Sequence, residues 1–265
     1  MIRRPPRSTL SSSSAASDVY KRQGLGCLLV NGRVGILGDL HSEDLRLKVA
    51  LDFFEKSQVD FIVCTGDIAD GRGNIDKSCE LLKLFSVTCV RGNHDRWLLD
   101  NKVRHIPEAH LCGDLNVDSL TFLNDLASVE RLALGEDTLV LCHGVLDRDM
   151  HKIWPGTERT RIERSKNFDD LLAQESPRFV VNGHIHYRTM IDFEDCHLIN
   201  AGTLRGDRPV VTILDAYQGV VVGYTMKDDS EMVRGVTISL TERDDRRIWK
   251  NTQEFDGTWT PVVLS

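Results

Sequence analysis

The 265-residue chain is short of several things, and each shortage narrows the field. No apolar run approaches the roughly 20 residues that span a bilayer, so no transmembrane helix and no membrane partner is expected. There is no C-x-x-C pair. The seven cysteines, at 27, 64, 79, 89, 112, 142 and 196, are odd in number and scattered. Cys64, Cys89 and Cys142 fall inside apolar runs and read as small buried hydrophobes rather than a disulfide framework. A reducing compartment fits this usage best, so a cytoplasmic location is expected. Positive charge is also scarce: the formal net charge is −7. No nucleic-acid recognition motif, internal repeat or interdomain linker is present, and nothing bears on the oligomeric state.

The first 23 residues, MIRRPPRSTLSSSSAASDVYKRQ, differ from the rest. They are rich in Arg, Pro and Ser and carry neither hydrophobic periodicity nor a secretory apolar region. The string resembles a translated sequencing-library adapter and is set aside as a non-native or disordered leader. It holds five cations (Arg3, Arg4, Arg7, Lys21, Arg22) against Asp18, which leaves −11 for residues 24–265. So acidic a body argues against binding nucleic acid backbones. It does not exclude a phosphate substrate where bound cations reverse the sign locally.

What is present from residue 24 onward is a repeated pattern. RVGILGDLH, DFIVCTGD, VTCVRGNHD, TLVLCHG and RFVVNGHIH are short, β-branched runs closed by glycine and then by metal-capable residues. By length and composition these are buried strands. Helical spacing lies between them: Leu45, Val49, Leu51 and Phe53 or Phe54 in 43–57; Ile75, Cys79, Leu82 and Phe85 in 75–85; a helix capped by Asp118 over 118–127; and a short one from Phe168 to Gln174. This alternation predicts an α/β fold. After residue 196, HLINAG, PVVTILDA, GVVVGYTM and RGVTISLTE read as strands of a second, more antiparallel sheet. The expected organisation is a main domain over 24–226, followed by a C-terminal strand and tail over 227–265.

Ligands of open α/β sheets bind beyond the carboxyl ends of strands, and five strand ends here deliver Asp39, His41, Asp67, Asn93, His143, His184 and His186. D-x-H and H-x-H place two side chains on one face of an extended segment. Two carboxylates, four imidazoles and an amide oxygen are too many donors for one cation of four to six ligands, and suit two cations sharing a carboxylate and a water. The His-rich set favours Mn, Fe, Zn or Co over Mg or Ca, with Mn the preferred assignment. Singly, each residue has a duller explanation: Asp67 as a turn cap, Asn93 as a left-handed turn residue, His143 as a buried hydrogen-bonded histidine, His184 and His186 as edge-strand surface. His105, His110 and His197 read as structural or solvated. The cationic stretch 145–166, with Trp154, reads either as a solvated helix or as a loop that grips a second phosphate or a base. Asp70 reads as loop or as support for the site.

In order, Gly38-Asp39-Leu40-His41, Gly66-Asp67, Gly92-Asn93-His94-Asp95, His143-Gly144 and Gly183-His184-Ile185-His186 resemble the blocks of the calcineurin-like metallophosphoesterase superfamily. The later INAGTLRGDRPVVTILD resembles the N-P-G-S segment of its smaller prokaryotic-type members, with Ala201 and Thr203 in place of Pro and Ser. The resemblance implies a two-sheet α/β/β/α sandwich with its metal site at the carboxyl ends of the strands. It implies that Asp39, His41 and His186 hold one divalent metal ion, that Asn93, His143 and His184 hold a second, and that Asp67 bridges them. It implies that His94 protonates the leaving oxygen, that Asp95 hydrogen-bonds and orients His94, and that a metal-bridging hydroxide attacks a small phosphoester or nucleotide. Some members of the superfamily keep the fold as binding scaffolds, which is the alternative function.

Overall fold

The structure is a computed structural model that describes residues 32–102, 105–243, 245–258 and the backbone of 262–263. The leader expected over 1–23 lies outside the described residues, as does Cys27. The residues from 31 onward form one compact unit.

Two sheets make up its centre. In the first, β1 (Arg33–Leu37) pairs in parallel with β2 (Phe61–Cys64), and β2 with β3 (Thr88–Cys89). On the other side of β1, β9 (Val210–Asp215), β10 (Val220–Lys227) and β11 (Glu231–Ser239) run antiparallel, in the order β11-β10-β9-β1-β2-β3. The second sheet contains β4 (Val129–Leu134), β5 (Asp137–Cys142), β6 (Phe179–Asn182), β7 (Arg188–Phe193), β8 (His197–Ala201), β12 (Ile248–Trp249) and β13 (Val262–Val263). Its order is β12-β7-β8-β6-β5-β4, with β13 also on β7. The expected grouping of the strands after residue 196 therefore needs correction. Of the four read from the sequence, β9, β10 and β11 extend the sheet of β1, and only β8 belongs to the second sheet.

Three apolar clusters define four layers. Val34, Ile36, Val63 and Val221 from the first sheet meet Leu139, Leu141, Val181 and Ile199 from the second. The outer face of the first sheet carries α1 (Asp44–Lys56), α2 (Ile75–Leu84) and α4 (Val117–Asp125), through Leu47, Leu51, Phe54, Cys79, Leu82 and Leu123. The outer face of the second packs against α5 (Lys166–Gln174) and the tail, through Phe168, Leu171, Trp249 and Phe255. The fold is the α/β/β/α sandwich expected. The interiors of the central strands β1, β2, β6, β7, β8 and β9 are buried on both faces, which explains runs without polar alternation, whereas the edge strand β11 is largely exposed.

Local details differ from the expectations. The cap of α4 is Asn116, which accepts from the Ser119 amide, rather than Asp118. In α1 the buried face is Leu47, Ala50, Leu51 and Phe54, and Leu45 points outward. Residues 145–164 form no helix; three small bridges, Val145–Arg148, Trp154–Glu163 and Thr157–Thr160, shape them instead. Arg164 donates to the carbonyls of Thr252 and Phe255, so one cation of that stretch anchors the tail.

Candidate metal centre

The first sheet brings Asp39 and His41 after β1, Asp67 after β2, and Asn93 at the start of α3 (Asn93–Leu99), which follows β3. The second brings His143 after β5 and His184 and His186 after β6. All seven meet at the seam between the sheets. Donor atoms of Asp39, His41, Asp67 and His186 lie within 4.8 Å of one another, and so do those of Asp67, His143 and His184. Asp67 belongs to both groups. Asn93 Oδ1 joins the second group, 2.9 Å from His143 Nε2. Five of the seven are almost fully buried; His184 is half-buried and His186 is exposed.

Glycine makes this crowding feasible. A Cβ on Gly92 would stand 2.2 Å from Asp67 Oδ1, and one on Gly183 would stand 2.2 Å from Asp39 Oδ1. Each glycine thus leaves room for a carboxylate carried by a different strand, which accounts for glycine before Asn93 and before His184. The backbone also bends sharply: His41, Asp67, Asp70, His184 and His186 all adopt positive φ. Such conformations are uncommon in non-glycine residues and cluster at functional sites.

The backbone around the rings decides which nitrogens face inward. His41 Nδ1 lies 3.0 Å from Asp70 O and 3.2 Å from Ala69 O, so it carries the proton and donates. His41 Nε2 then presents a lone pair, 3.1 Å from His186 Nε2. His143 Nδ1 donates to Thr65 O at 2.8 Å, which aims Nε2 at Asn93 Oδ1 and, at 3.3 Å, at Asp67 Oδ2. A lone pair on that nitrogen would face two oxygen lone pairs, so the position calls for a cation. His184 Nε2 is buried and has no protein partner among the described residues. Imidazoles oriented through one nitrogen with the other left open are what a metal shell requires. The Asp/His cluster could hold divalent cations.

The electrostatics agree. Burial lowers the pKa of His41 to about 4; burial and the nearby His143 lower that of His184 to about 4. Both are neutral, ligand-ready imidazoles at pH 7. His143 is the exception. Burial opposes its charged form, but Asp67 and Asp39 outweigh that and raise its pKa to about 10. A proton there carries the charge that a cation would. Asp39 is pushed up to about 7 by burial, an effect opposed by His143 and reinforced by Asp67. Asp67 is held below the usual carboxylate range because His143, His94 and His41 overcome its burial.

Residues 33–219 match the sequence model of the calcineurin-like phosphoesterase superfamily domain, most of the chain and every residue of the site. The chain belongs to the calcineurin-like phosphoesterase superfamily. A metallophosphoesterase of Sphaerobacter thermophilus is 22% identical with a TM-score of 0.54, over 74% of this chain and 88% of that one. A hypothetical protein of Pyrococcus horikoshii OT3 is 13% identical with a TM-score of 0.59, again over 74% of this chain and 88% of that one. These two share the metallophosphoesterase-type fold. A comparison with curated proteins gives no match.

Around this superfamily site the structure corrects one role and adds several. Asp95 is not the partner of His94. Its Oδ1 accepts from the amides of Ile68 (2.8 Å) and Ala69 (2.9 Å), and its Oδ2 from that of Gly92 (2.9 Å). As the third residue of α3 it reaches back to the capping position and ties the helix to the loop after β2. The carboxylate on His94 Nδ1 is Asp70, at 2.7 Å. Thr65 donates to Asp39 Oδ1, Thr203 donates to the Asp39 carbonyl, and Asn200 donates to the carbonyl of Gly183. Thr203, standing where Ser is usual, thus keeps a hydroxyl against Asp39. Elsewhere, His197 donates to Asp192 at 2.6 Å in a buried network, as its structural reading expected.

Proposed function

We propose that the protein is a binuclear metal-dependent phosphoesterase that hydrolyses phosphomonoesters or phosphodiesters, with a small phosphoester or nucleotide as substrate and Mn²⁺ as the preferred ion. The observation that carries the reading is the membership of Asp67 in both donor groups, which suits a carboxylate shared by two cations. Asp39, His41 and His186 would hold one ion, and Asn93, His143 and His184 the other. Two ions so held supply Lewis acidity toward the phosphoryl oxygens and lower the pKa of a water between them.

The chain's own residues do the rest. The bond from His94 Nδ1 to Asp70 fixes the ring, and Nε2, 3.9 Å from Asp67 Oδ2, faces the donor groups. From there Nε2–H gives its proton to the leaving oxygen, a contribution of about 10²–10⁴-fold. The amide of His94 donates to Asp67 Oδ1 at 2.8 Å, so the shared carboxylate and the acid are fixed to each other. The test is hydrolysis of a nitrophenyl phosphate monoester and its bis-ester, with Mn²⁺ and after chelation. Metal-dependent turnover of either supports the reading. No such turnover on these or on a wider phosphoester panel returns the chain to the role of a binding scaffold.

A further inference from the structure

His110 lies in the irregular stretch between α3 and α4, outside the metal-donor groups. It is joined to Asp70 by a reciprocal pair of bonds. The Asp70 amide donates to His110 Nδ1 at 3.0 Å, and the His110 amide donates to Asp70 Oδ1 at 3.0 Å. Because Nδ1 accepts, this imidazole carries its single proton on Nε2. The pair closes a ring between segments 40 residues apart.

What it closes on is a hub. Asp70 Oδ2 orients His94, and the Asp70 carbonyl orients His41. Asp70 does so at φ +65°, a conformation that disfavours residues with a Cβ and needs support from its surroundings. His110 supplies that support at both the amide and the carboxylate.

We propose that His110 is a positioning residue for proton delivery to the leaving group, acting through Asp70 on His94. The proposal rests on the phosphoesterase reading. It differs from a merely structural role in one respect: its loss should depend on the leaving group. An acidic phenol departs without a proton, whereas an alkanol requires one. A misaimed acid therefore penalises alkyl phosphates selectively.

The experiment compares His110→Asn and His110→Gln with the wild type, all Mn²⁺-loaded, on nitrophenyl phosphate and on a simple alkyl phosphate. Asn places an oxygen near the position of Nδ1 and can accept the same amide; Gln places its polar group near Nε2 and fills the space without that acceptor. For His110→Gln, kcat on the alkyl ester should fall roughly 10- to 100-fold, and on the nitrophenyl ester less than about threefold, with KM little changed. His110→Asn should recover most of the alkyl-ester rate. Melting temperature and metal content, measured alongside, should match the wild type in both. Equal losses on the two substrates, no loss in Gln, or an Asn variant no better than Gln would overturn the proposal. A wild type without metal-dependent activity would instead sink the function on which it rests.

Discussion

At the residue scale, the donors of the centre were legible because each is announced locally, by a glycine and a strand end a few positions away. What could not be read were partnerships across distance. His94 and Asp95 are adjacent in the chain, yet the ring is held by Asp70, 24 residues away, while Asp95 serves backbone amides. Adjacent helical residues do not face each other, which a sequence pairing overlooks. Replacing His94 with Ala should therefore leave about two metals per chain by elemental analysis while lowering kcat on an alkyl phosphate, whose leaving group needs a proton, roughly 10²–10⁴-fold. Unchanged turnover would remove His94 from the reaction. Protons report the same centre. At pH 7 His143, held up to about 10, is protonated, and Asp39, near 7, is partly so. A metal ligand must shed its proton, so Mn²⁺ added to chelated protein in weak buffer should release about one proton or more per chain, and affinity should rise with pH between 6 and 8. Release of none would show that these groups do not meet the ion.

At the element scale, strands were found from composition and burial, but their sheet was not. The residues of β9, β10 and β11 read correctly as strands, yet a buried apolar run carries no label for the partner across its edge. The pairing of β9 with β1 is set by packing that only the whole chain defines. The tail was illegible for another reason. Trp249 and Phe255 are isolated apolar residues in a polar stretch, and they bury against each other and the second sheet without any periodicity in the chain. Next to them Asp192 accepts from His197 (2.6 Å) on one oxygen and from Arg246 (2.6 Å) on the other, which joins β7, β8 and the tail. Burial opposes the ionised form of Asp192, but His197 and Arg246 lower its pKa overall. Its contribution is thus present at neutral pH and lost as pH falls below the ordinary carboxylate range. Asp192→Ala would take the acceptor from the buried His197 and the part-buried Arg246 and should cost about 3–5 kcal/mol by denaturant unfolding at pH 7. A loss below about 1 kcal/mol would mean the network relaxes freely. At the strand ends, Gly183→Ala should displace Asp39 and deplete bound metal with little change in secondary structure by circular dichroism.

At the scale of the whole molecule, the position of the centre matters more than its inventory. Asp39, His41, Asp67 and Asn93 come from one sheet, and His143, His184 and His186 from the other. Cations held there would join the two halves at a seam otherwise closed by apolar contact between the sheets and by a few hydrogen bonds, such as those from His143 to Thr65 and from Thr203 to Asp39. The same seam gathers the buried carboxylates Asp39, Asp67 and Asp95, whose mutual repulsion raises Asp39 and Asp95 once burial has done so first. Ions that bind the folded chain and not the unfolded one must therefore stabilise it globally. At a concentration 100 times the dissociation constant, each site adds about 2.7 kcal/mol. For a domain of this size, one kcal/mol raises Tm by roughly 2–4 °C. Two filled sites should therefore raise the melting temperature of chelated protein by roughly 10–20 °C on titration with Mn²⁺. Asp67→Ala should lose most of that rise, because its carboxylate serves both ions, whereas His94→Ala should retain it. If the Asp67 variant gained as much from Mn²⁺ as the wild type, the ions would be binding elsewhere, and the seam would be held without them, by its apolar core and its hydrogen bonds.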